Sequence, residues 1–228
     1  MNSVKEILEY LQTRGKTDNL EGMARFGIET TNRYGVPVPE MRKLAKIIGK
    51  NHQLAMKLWA SGIAEARIVA GMIADPLELT DAQMENWVVD FNSWDVCDQV
   101  CMNLFDKSPL AWKKIRDWND REEEFVKRAA FALIACLAWN DKNADDEKFV
   151  DLLPLIIQQS SDGRNFVKKS VNWALRHIGK RNKFLNREAL KTAYQIKKID
   201  SKSAHWIASD AIRELESVKI RKRLGLVN

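Results

Sequence analysis

Apolar residues recur three and four positions apart along almost the whole chain of 228 residues, the spacing that gathers them on one face of an α-helix. The pattern predicts helices over residues 3–11, 39–49, 53–60, 64–73, 81–91, 94–105, 109–118, 121–139, 145–159, 165–178, 186–199 and 203–217. Only five prolines and ten glycines interrupt it, and the two-residue alternation of a strand is almost absent. Thr80 is placed to cap one helix. Asn119 and Asp120 are placed to cap another, with Glu123 where a capping box would need it. The fold class this predicts is all-α.

Helices of ordinary length with short connections build stacked hairpins. Four segments share a faint pattern of a charged or small polar residue before an apolar face: Glu65-Ala-Arg-Ile-Val-Ala, Phe125-Val-Lys-Arg-Ala-Ala, Phe166-Val-Lys-Lys-Ser-Val and Trp206-Ile-Ala-Ser-Asp-Ala. Arg67, Asp98, Arg128 and Lys169 fall at comparable places, 31, 30 and 41 residues apart, near the period of two-helix solenoid repeats. No linker-like or low-complexity stretch divides the chain. The expected architecture is therefore one domain over residues 1–228, a curved solenoid of HEAT- or armadillo-like repeats whose second helices line a concave wall.

Composition narrows the class further. A hydrophobic content of 45% and mean hydropathy of −0.38 suit a folded, water-soluble chain rather than a disordered one. Three cysteines are too few for a disulfide scaffold, and all three read as core thiols. The longest apolar run, 129–139, is about half of the roughly 20 residues that a membrane-spanning helix requires. Lys5, Glu6 and Glu9 interrupt any secretion signal, so the expected location is cytoplasmic. Charge is unevenly spread: from Arg164 onward there are 17 basic and 5 acidic residues, against 20 basic and 26 acidic before it. Such asymmetry points to a polyanionic partner held mainly by the C-terminal half, and to a basic groove along the concave wall. A solvated lysine-rich surface is the alternative.

Two clusters carry candidate chemistry. On the helix predicted over 165–178, Val167, Val171, Ala174, Leu175 and Ile178 share the inward face, while Trp173 points away from it among Lys169, Arg176, His177 and Lys180, with Arg181 following. An indole in a cationic stripe suits a nucleic-acid surface, charge meeting phosphate and ring meeting sugar or base; packing against a neighbouring repeat is the alternative. In the second cluster, Trp94 and Asp98 lie one turn apart, with Asp95 at the edge. A carboxylate beside an indole at the rim of an apolar face can stabilise a developing cation. Either aspartate could instead cap the helix or pair with a repeat arginine. Arg128, on a stripe with Ala132, Ala135 and Trp139, could reach a phosphate, pair with an aspartate such as Asp98, or do both. The chain has no Gly-rich phosphate loop and no Gly-x-Ser-x-Gly elbow, and His52, His177 and His205 lack metal-ligand spacing.

Trp94-Asp-x-x-Asp98, Phe125-Val-Lys-Arg128-Ala and Val171-Asn-Trp173-Ala-Leu-Arg, in that order, resemble the HEAT-like-repeat DNA alkylation-repair glycosylases of the AlkD type. The segment Tyr34-Gly-Val-Pro-Val-Pro-Glu-Met-Arg-Lys-Leu-Ala is similar to that family's N-terminal helical region. Gly22-Met-Ala-Arg-Phe-Gly-Ile and the polar stretch 140–146 look like subgroup features. The resemblance implies excision of cationic N3- and N7-alkylated purines from duplex DNA, with Asp98 as the catalytic carboxylate. It implies that Trp94 and Trp173 flank the lesion sugar and that Arg128 stands on the phosphate side. It also implies that the base stays in the duplex, that neither metal nor organic cofactor takes part, and that a monomer suffices. Relatives that bind DNA without cleaving it supply a second expectation, a non-catalytic binder of bent or branched DNA. A scaffold for an acidic peptide is a third.

Overall fold

The computed structural model describes residues 3–227, among which every regular element is helical. They form two compact units, the first ending at Ala111 and the second beginning at Trp112.

The first unit contains α1 (Val4–Arg14), α2 (Thr17–Arg25), α3 (Val38–Ile48), α4 (His52–Trp59), α5 (Ala64–Ile73), α6 (Asp81–Val89) and α7 (Trp94–Asn103). Its centre is α5, which touches α1, α3, α4 and α7 and buries eight of its ten residues. A helix apolar on nearly every side must be enclosed in this way. A Cβ at Gly71 would lie 3.2 Å from a Val100 methyl group, so the glycine lets α5 and α7 approach closely. Trp59 and Trp87 stack at 4.0 Å. The repeat position Arg67 sits over Trp59 and pairs with Asp90 at 3.1 Å.

The second unit is built on α9 (Glu124–Asn140), buried without a break from Val126 to Ala138, with the amphipathic α12 (Asn165–Gly179) lying along it. Val167, Val171, Ala174, Leu175 and Ile178 are fully buried, the inward face their spacing predicts. Around this pair stand α8 (Ala111–Trp118), α10 (Asp146–Val150), α11 (Leu153–Gln159), α13 (Lys183–Ile196), α14 (Lys202–Leu215) and α15 (Val218–Arg223). A Cβ on Gly179 would come within 2.6 Å of Leu215 and 2.9 Å of Ala189, so only glycine fits where α12, α13 and α14 converge. Cys97, Cys101 and Cys136 are buried and not joined in a disulfide, and no described helix is long and apolar enough to cross a membrane.

Three local expectations change. The helix predicted over 145–159 is two helices, broken before Pro154, which lacks the N–H needed inside a helix but suits the first turn of α11. The Thr80 cap forms, accepting from the Gln83 N–H at 3.1 Å. The Asp120–Glu123 box does not: Glu123 pairs with Arg121 at 2.5 Å, and Asp120 accepts from the Gln159 side chain at 3.0 Å. Finally, α2 and α15 lie outside the predicted segments. The first buries no residue and the second only Ile220, so hydrophobic periodicity has little to register.

Candidate nucleic-acid interface

In the first unit the start of α7 is positioned by the loop between α2 and α3. The carboxylate of Glu65, fully buried, accepts the backbone N–H groups of Tyr34, Gly35 and Val36 at 2.8–3.2 Å. Gly35 has a positive φ of 78°, which favours glycine, and a Cβ there would meet the Lys16 carbonyl at 2.4 Å. The neighbouring Arg33 is buried and grips Asp95 with two nitrogens, at 2.6 and 3.0 Å. The Ser93 hydroxyl donates to the same carboxylate at 2.6 Å. Fork-to-fork pairing of this kind fixes direction as well as distance. Asp95 is thus a structural anchor, though its partner is a loop arginine rather than a repeat arginine.

Trp94 is half-buried, and its indole N–H donates to the Phe26 carbonyl at 3.1 Å. The acceptor lies within the segment 22–28 that the sequence marks as a subgroup feature, so that segment sets the orientation of this ring. Asp98 follows one turn later, half-buried, on the side of α7 opposite buried Val96 and Val100.

In the second unit Arg128 is only 5% exposed and donates to the Phe166 carbonyl at 2.7 Å. That hydrogen bond and the stacked pair of Phe125 and Phe166, 5.5 Å apart, tie the start of α9 to that of α12. Trp173 is half-buried and meets the His177 ring edge-on at 5.7 Å. His177 also lies 6.0 Å from Trp139. Burial, and then the charges of Lys180 and Arg176, push the His177 imidazole down to about 4. It is therefore a neutral plate between two indoles at neutral pH, not a phosphate-binding cation.

The remaining basic candidates have different surroundings. Lys169 is exposed. Arg176 and Lys180 both bind Glu214 of α14, at 2.5 and 2.8 Å, and Arg176 also lies 3.6 Å from Asp210. Burial alone would raise the Glu214 carboxyl. The Lys180 hydrogen bond and the two positive charges outweigh it and hold the group below the ordinary carboxylate range. Arg181 donates to the Ala138 and Ala144 carbonyls at 3.3 and 2.8 Å and sits 4.6 Å from the centre of the Phe149 ring, pinning the stretch after α9.

Sequence reasoning places Trp139 on the Arg128 stripe without giving it a role, and does not single out Lys142 or Arg223. They share a cleft of about 610 Å³ with His177, Lys180 and Arg181. Trp139 is 58% exposed, an unusual position for the last aromatic residue of an otherwise buried helix. That contrast was a possible signal.

The model of the DNA alkylation repair enzyme family matches residues 7–215. Among solved structures, the chain is similar to a member of "a new family of proteins related to the HEAT-like repeat DNA glycosylases with affinity for branched DNA structures". The two are 21% identical, with a TM-score of 0.74 over 93% of this chain and 95% of that one. A designed armadillo repeat protein in complex with the peptide (KR)4 aligns at 16% identity and a TM-score of 0.39, covering 82% of this chain and 79% of that one. No curated protein matches. The first structural likeness gives the fold as HEAT-like helical repeats, and the family match runs through both compact units: this chain belongs to the DNA alkylation repair enzyme family.

Proposed function

We propose that the protein is a DNA glycosylase that releases cationic N3- and N7-alkylated purines from duplex DNA. The observation that carries this reading is the arrangement at the start of α7. An oriented indole and a half-buried carboxylate lie one turn apart on the helix start that Arg33 fixes through Asp95. The reading assigns the reaction to Asp98, the position that the family resemblance gives to the catalytic carboxylate.

An alkylated purine with a ring positive charge is already a good leaving group. The bond between its nitrogen and C1′ breaks with the electron pair going to the base, which departs neutral, and positive charge develops on the deoxyribose. The Asp98 carboxylate opposes that charge and orients a water whose oxygen bonds to C1′, its proton passing to the carboxylate or to solvent. The indole face at Trp94 favours the same cationic centre by about 0.5–2 kcal/mol. In the second unit, the reading gives the Trp173 indole and Arg128, anchored on the Phe166 carbonyl, the task of holding DNA, ring to sugar and charge to phosphate. The leaving group needs no strong general acid.

The test is release of free base from duplex DNA carrying 7-methylguanine or 3-methyladenine, with DNA binding measured in parallel. Wild-type protein is expected to release base. Asp98→Asn is expected to lose about 10²–10³-fold in rate while binding DNA as before. Binding without release by the wild type favours the second reading, a non-catalytic binder of branched DNA, to which the affinity of the structural relative points.

A further inference from the structure

The cleft at the C-terminal ends of α9 and α12 has no part in the chemistry above, yet its walls are of three distinct kinds. One is aromatic: Trp139 is 58% exposed, with His177 beside it at 6.0 Å. The second is cationic, and its two exposed members come from distant parts of the chain. The Lys142 ammonium lies 5.4 Å from the Trp139 ring centre, and Arg223 reaches in from the end of α15, one guanidinium nitrogen on the Lys180 carbonyl at 2.8 Å. The third is a rigid floor, in which Arg181 is tied to two backbone carbonyls and Asn182 donates to both oxygens of Asp146 at 2.8 and 2.9 Å. Asp146 is therefore engaged, and Asp145 is the acid left at the rim. A volume of about 610 Å³ falls within the usual range of small-ligand sites, roughly 300–1,000 Å³.

An exposed indole beside exposed cations, above a fixed polar floor, matches a base attached to a phosphate. We propose that this cleft is a subsite for one unpaired nucleotide of a DNA strand, its base against Trp139 and its phosphate between Lys142 and Arg223. A paired base offers no free face to an indole, so the subsite selects DNA in which a strand has left the duplex. The inference rests on the reading that the protein binds DNA. It adds that DNA with a single-stranded branch or end gains a contact that intact duplex lacks.

Fluorescence anisotropy with three labelled probes tests it: a blunt duplex, and the same duplex with a short oligothymidine tail at a 5′ or a 3′ end. Stacking on one aromatic ring corresponds to roughly 5–150-fold in affinity, so wild-type protein is expected to bind one tailed probe about tenfold more tightly than the blunt one. Trp139→Ala is expected to abolish that preference and leave blunt-duplex affinity within about twofold, while Trp139→Tyr keeps most of it. Lys142→Gln with Arg223→Gln is expected to reduce the preference in part. Equal affinity of the wild type for tailed and blunt probes overturns the subsite and leaves the DNA reading standing. A Trp139→Ala protein that loses affinity for all probes alike places the indole on the duplex surface instead, and one that keeps the preference puts the unpaired strand elsewhere. Failure of the wild type to bind any probe overturns both readings.

Discussion

The start of α7 and the end of α12 each present a half-buried indole with ionisable groups one turn away, but they are stabilised by opposite means. At α7 the polar partners belong to a loop that is itself clamped by Glu65, and the arginine that holds Asp95 is 1% exposed in its side chain. At α12 the indole meets an uncharged histidine, and the nearby cations are held by carboxylates of α14 with side chains 15–29% exposed. The first region is preorganised, because nothing entering from solvent can readily compete for Arg33. The second is neutralised from within, and an incoming phosphate would compete with Glu214 for Arg176 and Lys180.

The sharpest way to break this contrast is to remove one cation from each region. Arg33→Met leaves the Asp95 carboxylate without its partner in a largely dry site, which costs about 3–5 kcal/mol. Arg176→Met in the more open cluster costs about 1 kcal/mol or less. Urea unfolding of both variants measures the difference. Similar losses would show that the two regions are equally solvated. Arg33→Met is also expected to slow base release, since Trp94 and Asp98 stand on the helix start that Arg33 holds.

Histidine 177 gives a contrast of pH. Its folded value of about 4 lies below the ordinary value, near 6.5, so between the two the unfolded chain takes up a proton that the folded chain does not. The favourable contribution is therefore complete above about pH 6.5 and is lost as the pH falls toward 4, by about 3 kcal/mol in all. His177→Asn is expected to flatten the pH dependence of the urea midpoint across that window. The wild-type and variant curves differ there by the histidine's share, while the carboxylates common to both cancel. A wild-type curve that is already flat would mean that the imidazole is open to water.

These two regions also show what sequence periodicity can and cannot express. The inward face of α12 was legible residue by residue, because a helical wheel contains everything needed to find Val167, Val171, Ala174, Leu175 and Ile178. The wheel also places Lys169, Arg176, His177 and Lys180 around Trp173. It carries no information about Asp210 and Glu214, which stand on another helix 34–38 residues along the chain from the cations they hold, or about the burial that keeps His177 neutral. At α7, likewise, the indole and the two aspartates were visible, whereas the arginine that binds Asp95 lies 62 residues earlier in a loop without periodicity. Long-range pairing of polar groups decides which charges remain for a ligand, and local pattern does not encode it.

The finest test of the contrast uses the acid rather than the bases. Lys180 and Arg176 hold the Glu214 carboxyl below its ordinary range, so it stays ionised on mild acidification and the two cations are not freed. Glu214→Gln does. Lys180 then loses its carboxylate partner, while Arg176 keeps Asp210 at 3.6 Å. If this cluster faces phosphate, one cation becomes available: DNA affinity rises several-fold, and the slope of log affinity against log salt steepens by about 1. The cost in stability is about 1 kcal/mol or less, as expected for a partly exposed pair. An unchanged slope would assign Arg176 and Lys180 to joining α12 and α14, with Lys169 and the cleft around Trp139 left to hold the DNA backbone in this unit. In that case α12, like α7, would keep its strongest charges for architecture, and the distinction between the two regions would rest on His177 alone.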